Sequence, residues 1–362
     1  MNRSHPRVQE WIRTIRYAIE ECGITLLDTA PWYGHGTSEV VVGWALEEAL
    51  EKDPSIRDRI TVNTKAGRYE ANAQEQFDFS YDTILRSAER SVQRMKCGYL
   101  SVLQLHDPEF APTLRVLLDE TIPALLECKK RGYCRALGLT GYPLEVQHQI
   151  LEASFAKFGY HVFDQCLTYC HYNLHDTSVL TRPIVDNSDN AESYVEYCHR
   201  QGHGMTVLAA APLSMGLLTP NGPPEWHPAQ QPLKDACREA ARICESAGVN
   251  IASLAILFAL SQSQVPCTIL GMKNVEEVKR NVDLARRFVA IGTDVQSSSP
   301  ATALEKVLTE TEFKVWQQLQ DAETGPFASV WKKGDFRWDG VQEAHDFWKQ
   351  VPETKTEEWQ TR

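Results

Sequence analysis

Seven short apolar runs, each separated from the next by a stretch of helical period, constrain this chain more than any other feature. The runs are Ile24–Asp28, Ile60–Lys65, Ser101–His106, Arg135–Thr140, Val162–Tyr169, Met205–Ala210 and Pro266–Gly271. Their length, and the β-branched residues in several of them, predict strands. Between them the period changes. Thr37 or Ser38 can cap a helix whose inward face is Val42, Ala45, Leu46, Ala49 and Leu50. Asp82 can open the next, with Leu85, Ala88, Val92 and Met95 inward. Asp119 can open a third, with Ile122, Leu125 and Leu126 inward, stopping at Lys129-Lys130-Arg131-Gly132 where cations meet the negative end of the helix dipole. Further helices fit Leu144–Phe155, Glu192–Arg200, Leu233–Ala247, Ile251–Gln262 and Val275–Phe288. Strand and helix in alternation predict parallel strands joined by right-handed crossovers. An open doubly wound sheet normally carries Gly-x-Gly-x-x-Gly after its first strand, and this chain has none. The expected fold class is therefore α/β, a closed (β/α)8 TIM barrel. The opening helix, Arg7–Cys22, has no strand before it, so the barrel's first strand is expected to be missing from the N-terminus.

The periodic pattern fades after Phe288. Residues 1–290 are expected to form the barrel and 291–362 a helical or irregular appendage. Within it Gly292–Pro300 reads as a polar linker, Leu304–Leu319 as one helix, and the tail carries Trp331, Trp338, Trp348 and Trp359. Charge then narrows the partners. Lysine and arginine number 37 against 48 aspartate and glutamate, a net −11, which argues against nucleic acid or an anionic membrane surface. The longest apolar run, Ile251–Leu260, falls short of the ~20 residues a membrane-spanning helix needs. The N-terminus lacks an apolar signal core, and the chain reads as a cytoplasmic protein. Ten scattered cysteines with no Cys-x-x-Cys pair read as reduced thiols rather than a disulfide or zinc framework. No metal site is expected, although Cys166, Cys170 and His171 lie close in sequence.

In a barrel the C-terminal ends of the strands face the active site. The first run ends in Asp28 with Tyr33 close behind, the second in Lys65 and the third in His106. Taken singly, each has an ordinary reading, as a turn cap, a packing ring, a surface cation or the start of a turn. Together they suggest proton transfer. A phenol ionises near pH 10, and a neighbouring ammonium favours the phenolate and lowers that value. Tyr33 would be the general acid–base, Lys65 its tuner, Asp28 the lysine's partner and His106 the group that orients a substrate oxygen. Such help suits hydride transfer at a carbonyl or carbinol carbon, which needs a nicotinamide cofactor. Trp32 and Trp226 read equally as sugar-stacking surfaces or as core and loop anchors.

These residues also carry a resemblance. Asp28-Thr29-Ala30-Pro31-Trp32-Tyr33-Gly34, Thr64-Lys65 and Leu105-His106-Asp107 resemble the tetrad signature of the aldo-keto reductase superfamily, over about Ala18 to Phe288. Within it the chain is most similar to the L-galactose dehydrogenase group, through Gly138–Pro143, Thr168–Tyr172, Ala211–Leu218 and Gly222–Pro228. That group is similar to the D-arabinose and L-fucose dehydrogenases. The resemblance implies oxidation of an aldose at C1 to the aldonolactone, with a small-molecule sugar as substrate and Tyr33 acting mainly as base. It implies that Thr140 holds the nicotinamide amide. Ala211, Leu213, Gly216 and Leu217 would wrap the pyrophosphate, and Gly271, Lys273, Glu277 and Asn281 would hold the adenosine end. Glu277 stands where NADP-using relatives often place an arginine, so NAD is the expected cofactor; Lys273 pulls toward NADP. Two other functions fit the same resemblance, an NADPH-dependent carbonyl reductase and a cofactor-binding regulatory subunit with little turnover. The resemblance departs in lacking the opening strand and an aromatic after Met205–Ala210, where Ala210 sits.

Overall fold

The computed structural model describes residues 2–70, 72, 75–187, 190–200, 202–290 and 299–336. Most of the expected linker and Trp338, Trp348 and Trp359 lie outside the described residues. The chain divides into two compact units. Of the described residues, the first holds those within 1–166 and 272–279, the second those within 167–271 and 280–336.

In the first unit the helix Pro6–Glu20 comes before any strand among the described residues. Strands β1 (Leu26–Asp28), β2 (Thr61–Ala66), β3 (Leu100–His106) and β4 (Cys134–Gly141) follow and pair in that order, all parallel. The register sets Asp28 beside Asn63, Lys65 beside Gln104 and His106 beside Thr140. The crossovers are the helices Thr37–Lys52, Tyr81–Met95 and Ile122–Lys130, and Leu144–Phe158 follows β4. Their inward faces are fully buried at Ala45, Leu46, Ala49, Ile84, Ala88, Met95, Ile122 and Leu125. Each large aliphatic side chain so buried contributes about 1.5–3 kcal/mol. The helix Pro6–Glu20 joins this layer through Val8 and Ile12 against Val41 and Ala45.

Strand β5 (Gln165–Tyr169) ends the first unit with Gln165 and Cys166 and opens the second with Leu167. In the second unit the order runs from β5 to β8 (Thr206–Ala210) and β9 (Cys267–Ile269), with Ala210 beside Ile269. A feature unseen in the sequence, an antiparallel hairpin of β6 (Pro183–Asn187) and β7 (Asn190–Ser193), comes between. Its alternation is too polar to signal a half-buried strand. All ten cysteines are free thiols, and no single helix among the described residues is long and apolar enough to cross a membrane.

Three helix starts differ from expectation. Gly36, left-handed at φ 84°, occupies the cap position before Thr37. Thr37 and Ser38 lie inside the helix rather than at its cap, and the Ser38 hydroxyl accepts from Thr29 at 2.8 Å. Ser80 precedes the helix expected to open at Asp82, and Asp119 lies in a wide turn, paired with Arg115 and Lys157. The single helix expected at Leu304–Leu319 is two, Pro300–Val307 and Glu310–Gln320. Thr309 and Glu312 form a reciprocal capping box that starts the second.

Gly43 lets the helices Thr37–Lys52 and Tyr81–Met95 touch. A Cβ there would lie 1.8 Å from the Arg94 carbonyl oxygen. Gly43→Ala is therefore expected to destabilise the protein by roughly 1–3 kcal/mol through overpacking, read as an earlier midpoint in urea denaturation; an unchanged midpoint would contradict this packing.

Candidate active site

Four residues from three strands and one loop meet in the first unit. Lys65 lies in β2 with its ammonium buried, and Nζ donates to Asp28 Oδ2 and, at 2.8 Å, to the Thr29 carbonyl. The lysine and aspartate side chains are only 2% and 4% exposed. Burial, the largest influence on Lys65, disfavours the ammonium; Asp28 and then Tyr33 outweigh it, and the pKa lies above the ordinary lysine value. The other carboxylate oxygen of Asp28 accepts from Gln104 Nε2 at 2.7 Å. Gln104 Oε1 in turn accepts from Gln165 Nε2 at 3.1 Å. The sequence reading missed both glutamines. Gln104 lies two residues before His106 on one strand, so the period of two puts both on the same face, and that was the available signal.

Tyr33 sits on the turn after β1, its N–H donating to the Ala30 carbonyl at 3.1 Å. Its ring centroid is 4.8 Å from Lys65 Nζ and 6.2 Å from the His106 ring, which it meets edge-on. The residue as a whole is 40% exposed. Even so, desolvation by the surrounding protein is the largest influence on the phenol and holds its pKa above the usual value. Lys65 pulls it down, as the sequence suggests, while Asp28 and Asp107 push it up, and the net direction is upward. The expected lowering is thus one real contribution outweighed by burial.

His106 is 5% exposed. Burial, with Lys65 and Arg68 nearby, pushes its pKa down to about 3 against the opposing pull of Asp107, so the imidazole is neutral at physiological pH. Its Nδ1 is buried and without a hydrogen-bond partner among the described residues, and Nε2 lies 3.6 Å from Asp107 Oδ2. Arg68, also missed in the sequence, donates to that same Asp107 oxygen at 2.8 Å and covers the Trp32 ring at 4.3 Å. Trp32 is therefore a half-buried wall next to Tyr33, packed on a cation. Glu109 is buried, accepts the Tyr142 N–H at 3.0 Å, and is pushed up to about 8 by burial and then by Asp107. It is mostly protonated at neutral pH.

The residues expected to bind a cofactor fall in both units. Thr140 is buried in register with His106. Lys273 presents an exposed side chain, and its N–H donates to Glu277 Oε2 at 2.7 Å. Asn274 Oδ1 accepts the Glu277 N–H at the start of helix Val275–Ala290, where the helix dipole favours an anion. In the second unit Gly271 is exposed and Asn281 half-buried. There the loop after β8 turns left-handed at Ala211, Ser214, Met215 and Gly216. Leu213 accepts from Gly216 and Leu218, and Leu217 is fully buried. Trp226 is 67% exposed on the loop Gly222–Pro228. Within the second unit, a loop with successive left-handed residues presents main-chain groups to a ligand, which suits the pyrophosphate of a dinucleotide.

The buried ion pair makes a direct prediction. Asp28→Asn leaves a buried ammonium without its counter-charge and is expected to cost about 3–5 kcal/mol in urea denaturation. A loss under about 1 kcal/mol would put the pair with exposed ones.

Comparison with known proteins agrees with this geometry. The Aldo/keto reductase family matches residues 4–290. L-galactose dehydrogenase of Arabidopsis thaliana is 35% identical over 293 residues, 81% of this chain and 83% of that protein. D-arabinose 1-dehydrogenase of Saccharomyces cerevisiae is 31% identical over 272 residues, 74% of each chain. Among solved structures, the holo form of aldo-keto reductase AKR11C1 from Bacillus halodurans superposes with a TM-score of 0.56 at 23% identity, covering 85% of this chain and 86% of that one. The chain belongs to the aldo/keto reductase family, with its (β/α)8 barrel fold, and is an NAD(P)-dependent oxidoreductase.

Proposed function

We propose that this protein oxidises an aldose of the L-galactose or D-arabinose kind at C1 to the aldonolactone, using NAD, with Tyr33 as the base. The observation that carries the reading is Tyr33, a partly exposed residue set between a buried, ion-paired Lys65 and a neutral His106. A bound nicotinamide supplies the hydride acceptor. The protein's own residues handle the proton and the oxygen. His106, neutral and nearly buried, hydrogen-bonds the C1 oxygen and fixes its direction. Tyr33 first releases its own proton to solvent, and the phenolate so formed, stabilised by the Lys65 ammonium, takes the C1 hydroxyl proton; the rate of oxidation therefore rises with pH. Asp28 and Gln104 hold Lys65 in place. Arg68 on Trp32 forms a wall beside the sugar.

The sugar class is supported by the names of the two relatives, L-galactose dehydrogenase and D-arabinose 1-dehydrogenase. The choice of NAD is supported by Glu277, whose carboxylate disfavours a 2′-phosphate. The exposed Lys273 ammonium favours a second reading, NADP-linked carbonyl reduction. Purified protein with L-galactose or D-arabinose is expected to reduce NAD faster than NADP. Tyr33→Phe should lower that rate by roughly 10²–10⁴. Full activity in Tyr33→Phe would sink the assignment of the base, and a clear NADP preference would replace the cofactor reading with the second one.

A further inference from the structure

We infer that His175 is a positioning residue for the left-handed loop Ala211–Leu217, through which the C-terminal segment sets that loop's shape for dinucleotide binding. The inference rests on the reading that this loop takes the dinucleotide. All the residues involved lie in the second unit.

His175 is 2% exposed in a tight turn after β5, where Asn173 Oδ1 accepts the N–H groups of His175 and Asp176 at 3.0 and 3.1 Å. Its Nδ1 faces the Phe336 carbonyl at 2.8 Å. A carbonyl only accepts, so Nδ1 carries the proton. Burial favours the neutral ring, which leaves Nε2 as an acceptor. Ser214 Oγ, 2.8 Å away, must then donate to it. The Trp331 indole N–H donates to the His175 carbonyl at 2.9 Å. One residue thus receives two anchors from the C-terminal segment and passes one to the loop.

The loop needs that hold at Ser214, a non-glycine residue at φ 49° followed by Met215 at φ 51°, a conformation L-residues rarely adopt unaided. A second imidazole secures the other end of the same residue. His227 Nδ1 accepts the Ala229 N–H at 3.0 Å, so its Nε2 carries the proton and donates to the Ser214 carbonyl at 3.1 Å. With its hydroxyl proton committed to His175, Ser214 contributes shape to the loop rather than a donor to a phosphate. Gly216, at φ 100°, completes the turn against Pro224.

Three full-length variants separate these links. Ser214→Ala deletes one hydroxyl, His175→Phe keeps the ring volume without either hydrogen bond, and Trp331→Phe removes only the C-terminal indole donor. Binding of NADH and NADPH is measured by cofactor fluorescence without sugar, alongside melting temperature and the sugar KM at saturating dinucleotide. The expected result is a dissociation constant raised about tenfold in Ser214→Ala and His175→Phe, and about threefold in Trp331→Phe, as preorganisation is lost. Sugar KM should stay within about twofold in each, since the proton machinery is untouched. Should His175→Phe fail to fold, Ser214→Ala carries the test alone. Wild-type affinity in a folded Ser214→Ala protein overturns the inference and leaves the proposed function standing. Failure of the wild-type protein to bind either dinucleotide overturns both.

Discussion

The buried ammonium of Lys65 is the constraint on which the site depends. An unpaired charge at that depth would cost several kcal/mol, so the strand that carries it must lie beside one that ends in a carboxylate. The parallel register supplies that neighbour, with Asp28 closing β1 and Lys65 two residues beyond its partner Asn63 on β2. Gln104 then occupies the position beside Lys65 on β3 and takes up the remaining Asp28 oxygen. Gln165 completes the line from β5. A slip of one residue in any of these pairings would turn the polar side chains outward, and so the chemistry and the sheet register specify each other.

The same positive charge reaches two neighbours with opposite outcomes. On His106 it acts together with burial, and both keep the imidazole neutral. On Tyr33 it opposes burial and loses, so the phenol keeps its proton at neutral pH. The resting site therefore holds a neutral orienting group, a protonated tyrosine and a cation beside it. That arrangement gives up a proton readily in reduction and, in oxidation, becomes a better base as pH rises. Asp107 couples this set to Arg68 and, through its charge, to Glu109, which places a mostly uncharged carboxyl close to the mouth of the strands.

Much of this was legible in the sequence, because strand ends in a parallel barrel converge and titratable residues at those ends stand out. Asp28, Tyr33, Lys65 and His106 were visible for that reason, as were all seven parallel strands. Gln104 and Gln165 were not, since an uncharged amide inside an apolar run attracts no notice unless the alternating face is followed. The hairpin Pro183–Asn187 with Asn190–Ser193 lacked an apolar face to announce it. The break between the helices Pro300–Val307 and Glu310–Gln320 was readable as Thr309-x-x-Glu312 but was overridden by the longer apolar period. The tie from His175 to Ser214 spans 39 residues of sequence, and only the folded chain brings its two ends together.

The chemistry of the site turns on the protonation state of Tyr33. The most direct measurement is the difference in tyrosinate absorbance between the wild-type protein and Tyr33→Phe as pH is raised. The structure predicts that the phenolate belonging to Tyr33 emerges only above about pH 10. A difference signal already titrating near about pH 7 would mean that Lys65 outweighs burial at the phenol, and would contradict the balance described here.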